Sequence, residues 1–230
     1  MAPPTSTGPL PSAQSTSRFS ASTPVPGGAA HTGSALAALA QVAVKGRAPK
    51  TGYARARFGE SWTDDNDEVW GHNGCDTRDD VLRRDLAEVV LRTGGCKVAS
   101  GTLHDPYTGA AVAFVRGPGT SSLIQIDHVV PLSDAWQTGA QQWTARQRQD
   151  FANDPLELIA TERHVNEAKR DSDAATWLPP ARAFRCAYAA RMVAIKLKWH
   201  LWVTPAERDA LARMLRPCDA LGLPTEPGIV

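Results

Sequence analysis

The stretch from Ile124 to Asp171 limits what this chain can fold into more than any other. It opens with Ile124-Gln125-Ile126-Asp127-His128-Val129-Val130-Pro131-Leu132. These residues read as a short β-branched strand that ends on an acid and an imidazole and is stopped by a proline. Leu156-Glu157-Leu158-Ile159-Ala160 reads as a second strand, and Thr161 to Arg170 as a short helix of good helix formers. Asp127 and His128 thus end the first strand, and Asn166 lies on the helix.

That order suits hydrolysis of a phosphodiester by one divalent cation. The reaction needs a water nucleophile, a group to take its proton, and a cation to neutralise charge on the leaving oxygen. Histidine titrates near neutrality and suits proton abstraction. A hard cation such as Mg²⁺ takes oxygen ligands, commonly one or two from protein, and Asp127 and Asn166 both offer oxygen. Neighbours on a regular strand point to opposite faces, so the backbone must bend if Asp127 and His128 are to serve one site.

Asp-His-Val-Val-Pro-Leu from Asp127, Asn-Asp-Pro-Leu-Glu-Leu-Ile-Ala from Asn153, and Asn-Glu-Ala-Lys-Arg-Asp from Asn166 together resemble the HNH (ββα-metal, His-Me finger) nucleases. The nearest branch is the one like the GmrSD C-terminal domain, which includes many secreted bacterial proteins. Further pieces resemble it too: Lys45 to Tyr53, Asn73-Gly74-Cys75-Asp76-Thr77-Arg78, Asp105-Pro106-Tyr107-Thr108-Gly109 and Trp177-Leu178-Pro179-Pro180. The resemblance covers residues 35 to 216 or so and implies an α+β fold. Its ββα-metal core would span about 123–171, beside a small antiparallel sheet and surrounding helices.

What the resemblance implies for the site is specific. His128 matches the general base, and Asp127 and Asn166 match the metal ligands, with Mg²⁺ expected and Mn²⁺ or another divalent ion as the alternative. The substrate would be DNA, with RNA as a second candidate, cleaved with low sequence specificity. The family's middle asparagine steadies the loop that carries the base; its position here is Glu157. An ionised glutamate accepts hydrogen bonds but cannot donate them, and nearby Asn153 is a candidate substitute. Lys169, Arg170 and Arg78 are candidate phosphate contacts. His164 competes with Asn166 as the helix ligand, although two positions apart on a helix they point elsewhere. The glutamate motivates an alternative: a weak or inactive HNH-fold nucleic-acid-binding protein. A third reading is a disulfide-stapled secreted protein that acts on other proteins.

Cys75, Cys96, Cys186 and Cys218 lack the close spacing of a zinc ribbon or thioredoxin site. Nearness in sequence and the resemblance pair Cys75 with Cys96 and Cys186 with Cys218, each bridge contributing about 3 kcal/mol in the chain-entropy model. Such bridges place the protein in an oxidising compartment, secreted or extracellular; four buried free thiols in a cytosolic protein are the alternative. The 25 basic and 24 acidic residues leave a net charge of +1, which argues against a cationic nucleic-acid coat protein but not against a local basic groove. No apolar run is long enough to cross a membrane as a helix, and a monomer is expected.

Residues 1–33 are rich in Pro, Ser, Thr, Gly and Ala, with Arg18 as their one Lys or Arg, and are expected to be disordered. They lack the basic start and apolar core of a signal peptide. Residues 34–218 form the expected single domain, and 219–230 a loose tail. Within the domain, Ala35 to Val44 reads as a first helix with Leu36, Leu39 and Ala43 on one face. The basic strip from Lys45 to Phe58 is either a nucleic-acid-facing surface or a solvated connector. Asp76 caps a helix whose periodicity runs through Leu86, Val89 and Val90 to Gly94-Gly95. Lys97–Ser100 and Ala110–Arg116 read as strands around a turn. Helices follow from Ser133, between Trp143 and Phe151, and from Phe184 to Trp202; a last one opens at the capping box Thr204-Pro205-Ala206-Glu207.

Overall fold

The computed structural model describes Met1 and residues 33–225. The expected disorder of residues 1–33 falls almost wholly outside them. The fold is α+β. Seven helices are described: α1 (Ala35–Leu39), α2 (Thr77–Asp85), α3 (Leu132–Gln137), α4 (Ala145–Asn153), α5 (Arg163–Lys169), α6 (Arg185–Lys198) and α7 (Pro205–Leu215). Strands β1 (Leu86–Leu91), β2 (Val98–His104) and β3 (Ala111–Val115) form one antiparallel sheet. Strands β4 (Ile124–His128) and β5 (Leu158–Glu162) form another.

The two-stranded sheet lies between two apolar cores, and its alternation shows why. Ile124, Ile126, Leu158 and Ala160 face a core shared with Trp70, Leu82 and Phe114. Ile159 faces the larger core, which α1, α3, α4, α6 and α7 build around Tyr188, Met192 and Phe151. A strand buried on both faces reads as a continuous apolar run rather than as alternation, which is the pattern of Leu158-Ile159-Ala160.

Several expected elements differ. The helix expected to run from Asp76 to Gly94 ends at Asp85, and Leu86–Leu91 is strand β1. Leu86, Ala87, the β-branched Val90 and Leu91 gain a ladder against β2, and tertiary pairing overrides a helical period. Gly94 and Gly95, at φ +102 and +81, make the hairpin loop rather than a helix cap. Strand β5 starts at Leu158 rather than Leu156, because the Asp154 carboxylate accepts from the Leu156 N–H (2.8 Å) and holds 154–157 in a turn. Helix α1 stops at Leu39; of the expected face Leu39 is buried, while Ala35, Ala38 and Val42 are buried in place of Leu36 and Ala43.

Both expected disulfides are present, Cys75–Cys96 and Cys186–Cys218. The second ties the start of α6 to the end of α7. The last capping box also forms, with Thr204 and Glu207 bonded reciprocally. Part of the tail expected to be loose is fastened, since the Leu221 carbonyl accepts from the Ala35 N–H at 2.7 Å. Among the described residues no helix is long and apolar enough to cross a membrane.

Candidate active site

Strand β4, strand β5 and helix α5 bring the predicted residues to one cleft of about 640 Å³. Asp127, His128 and Asn166 all line it. The strand ends at His128, which lets two neighbours share the cleft despite the pleat.

His128 is 7% exposed, and its Nε2 lies 3.1 Å from the Ala152 carbonyl at the end of α4. A carbonyl only accepts, so Nε2 carries the proton and Nδ1 keeps a lone pair. Burial, with Arg55 nearby, lowers the imidazole pKa to about 3. The ring is therefore neutral at physiological pH, the state a base requires. It stacks on Trp62, with centroids 5.7 Å apart and planes 16° apart.

Asp127 shares a strand face with Gln125, toward α5. Lys169, fully buried, bonds its carboxylate at 2.8 and 2.9 Å and also the His128 carbonyl at 2.7 Å. Tyr107 donates its hydroxyl to the same carboxylate at 2.6 Å. Burial pushes the Tyr107 phenol well above its ordinary range, so it stays a donor. Asn166 lies one helical turn before Lys169 and donates its side-chain amide to Gln125 Oε1 (2.8 Å), and its side-chain Oδ1 has no hydrogen-bond partner among the described residues. A carboxylate has about four acceptor sites; three bonds here leave room for one cation contact. One carboxylate and one amide oxygen facing a wet cleft fit a hard divalent ion.

Glu157 is fully buried and clamps the loop after His128. Its side-chain Oε1 accepts from the Val130 N–H at 3.0 Å, and its backbone carbonyl from the Val129 N–H at 2.9 Å. Burial, opposed by Lys169, holds the Glu157 carboxyl well above the usual carboxylate range, which favours its protonated form. Asn153 does not do this work: its amide returns to the Gln149 carbonyl of its own helix (2.9 Å).

Other predicted residues are sorted by the geometry. Lys169 is engaged with Asp127 beneath the cleft, which corrects its expected phosphate contact: a buried ammonium already paired is not open to substrate. Arg78 lines the cleft while its guanidinium holds the Ser121 and Ile124 carbonyls, both at 2.9 Å. Arg170 is exposed at the cleft, in a left-handed conformation at φ +52. His164 is outside the cleft, its side chain 72% exposed. Of the cations between Lys45 and Phe58, Arg55 reaches the cleft. Arg47 is tied to Asp134 and Asp173, Lys50 to Asp171, and Arg57 covers Trp136.

Sequence reasoning missed the site roles of Tyr107, Trp62 and Gln125; Arg55 lay in the basic strip, without being singled out from it. Tyr107 lies in the Asp-Pro-Tyr-Thr-Gly turn, where the Asp105 carboxylate also accepts from Thr161 Oγ1 (2.9 Å) and the Glu162 N–H (3.0 Å). The turn motif was visible; its docking on β5 was not. Asp134, Asp173 and Glu207 also converge, with oxygens close enough for a metal ion. Lys196 already bonds Asp134 and Glu207 there, at 3.0 and 2.8 Å, and none of the three acids lines the cleft.

Residues 76–214 match the family described as GmrSD restriction endonucleases, C-terminal domain. A protein of Arthroderma benhamiae, named only as an uncharacterized secreted protein, is 38% identical over 197 residues, covering 85% of this chain and 90% of its own. No solved structure matches the chain. The chain belongs to the GmrSD C-terminal-domain family, which agrees with its HNH-like ββα arrangement.

Proposed function

We propose that this family member is a secreted, metal-dependent endonuclease that hydrolyses phosphodiester bonds in DNA, and in RNA as a second substrate. The observation that carries the reading is the grouping in one cleft of His128, with Nε2 tied to Ala152 and Nδ1 left to accept a proton, the Asp127 carboxylate and the Asn166 side-chain amide. His128 deprotonates the attacking water. Lys169 and Tyr107 fix the Asp127 carboxylate, and Gln125 fixes the Asn166 amide, so that both oxygens are placed before substrate arrives. Mg²⁺ or Mn²⁺ held by Asp127 and Asn166 would neutralise charge on the leaving oxygen. Arg55 and Arg170 meet phosphates flanking the scissile bond, and Arg78 adds charge to that wall. Such contacts position the backbone without reading bases, hence low sequence specificity.

Glu157 favours the enzyme over a binding protein with a decayed site, because it supplies the bonds that hold the base loop. Two disulfides and the secreted relative support an extracellular location. The test is plasmid cleavage with Mg²⁺, Mn²⁺ or EDTA, beside His128→Ala. Cleavage lost in EDTA and in the variant is expected. No cleavage by folded, oxidised protein with any divalent ion would overturn the reading.

A further inference from the structure

The region that matches the family begins at residue 76, yet Tyr53, Arg55 and Trp62 form part of the cleft wall. We infer that this preceding segment completes the active site, and that Trp62 is a positioning residue that fixes the plane of the His128 imidazole. The inference rests on the nuclease reading for its consequence but not for its geometry.

One hydrogen bond, Nε2 to the Ala152 carbonyl, fixes one edge of the His128 ring but does not by itself set the plane of the ring. A nearly parallel ring packed on it restrains that plane, and Trp62 provides the contact at 5.7 Å and 16°. The backbone of Trp62 is held at φ +61, a conformation that a bulky side chain rarely adopts. Strain of this kind persists where the surroundings over-determine it, and it concentrates at functional sites. Here the Trp62 carbonyl accepts from the Thr77 N–H (3.1 Å), and the Thr63 carbonyl from Thr77 Oγ1 (3.1 Å) and the Asn66 amide (2.8 Å). Thr77 begins α2, two residues after the Cys75–Cys96 bridge. The loop is therefore stitched to the domain close to the point where Trp62 meets the base.

The test compares Trp62→Gly and Trp62→Phe with the wild type. Glycine keeps the left-handed backbone without the ring; phenylalanine restores a ring. Trp62→Gly is expected to lower kcat about 10- to 100-fold, the size of effect a misplaced reacting group produces. KM should move by less than about threefold, as for a group that leaves substrate binding intact. Trp62→Phe should recover most of kcat. Independently of cleavage, the carbon-bound imidazole protons of His128, identified by their loss in His128→Ala, should lie upfield in the wild type and move downfield in Trp62→Gly. Unmoved resonances, or an unchanged kcat, would overturn the inference. A raised KM at full kcat would make Trp62 a substrate contact and would also overturn it. A wild type that cleaves nothing would fail the nuclease reading instead, while the resonances would still decide whether Trp62 holds the ring.

Discussion

Replacing Glu157 by glutamine should stabilise the protein, and increasingly so as pH rises. The carboxyl is fully buried, and its Oε1 takes the Val130 N–H while Oε2 has no hydrogen-bond partner among the described residues. Burial holds its pKa well above the ordinary 4.5. A carboxyl that binds its proton more tightly in the fold than in the unfolded chain makes the fold lose stability as pH rises above the unfolded value. The loss is about 1.4 kcal/mol per pH unit and continues until the folded carboxyl ionises. Glutamine keeps an oxygen for Val130 and removes the titration. For a domain of this size, the Tm of Glu157→Gln relative to wild type should climb by about 3 to 5 °C per pH unit above pH 5. Glu157→Ala separates the two effects, because it also leaves the Val130 N–H buried without an acceptor, at a cost of about 1–3 kcal/mol. Thermal unfolding of the three proteins from pH 5 to 8, beside plasmid cleavage, makes the measurement. A Tm difference between Glu157→Gln and wild type that stays flat with pH would show that Glu157 is ionised and refute the reasoning.

Other perturbations test the rest of the site. Lys169→Met leaves the Asp127 carboxylate buried beside a hydroxyl alone. It should cost about 3–5 kcal/mol in urea unfolding, and added Mg²⁺ should recover part of that. Arg170→Gly relieves a left-handed backbone at φ +52, so Tm should rise while cleavage falls, most steeply at low salt, where the lost phosphate contact is least screened. Losing the Cys186–Cys218 bridge, which spans 32 residues, should cost about 3–4 kcal/mol, read as a lower midpoint in Cys186→Ser/Cys218→Ser. Asn166→Asp should strengthen metal binding by adding charge, seen as a lower Mg²⁺ concentration for half-maximal protection against unfolding.

How much of this was legible in the sequence depends on how local each cause is. Strand β4 could be read from its β-branched residues and Pro131, and α7 from a capping box whose two bonds join residues three apart. The grouping of Asp127, His128 and Asn166 followed from a motif within one stretch. Strand β1 could not be read, because Leu86–Leu91 is a strand only by virtue of β2, and its residues repeat at helical spacing as well. Charge was the least legible property. Lys169 looked like a phosphate contact because its sequence neighbours line the cleft, yet its position one turn after Asn166 aims it under the strand at Asp127. Glu157 looked like a defect, yet it is buried, which favours the protonated acid, and its Oε1 serves the Val130 N–H as an amide oxygen would.

The core motif is too small to hold its own geometry. Two five-residue strands and a seven-residue helix place three functional side chains; Gln125 within the motif steadies Asn166, while His128 and Asp127 are also held from outside it or by its inserted helix. Ala152 on α4 takes the His128 edge, and Trp62 from the segment before the family region takes its face. Tyr107 from the β2–β3 turn takes Asp127. Arg84 on α2 and Arg191 on α6 both hold the Leu158 carbonyl, at 2.6 and 2.7 Å, and both reach the Pro155 carbonyl. The turn that carries Glu157 is thus gripped from both cores. A buried guanidinium bonded to several carbonyls is costly to lose, because the carbonyls left behind lose their donors inside the protein. Truncating Arg191 should therefore damage the base loop through Glu157, lowering cleavage together with stability, although Arg191 does not line the cleft.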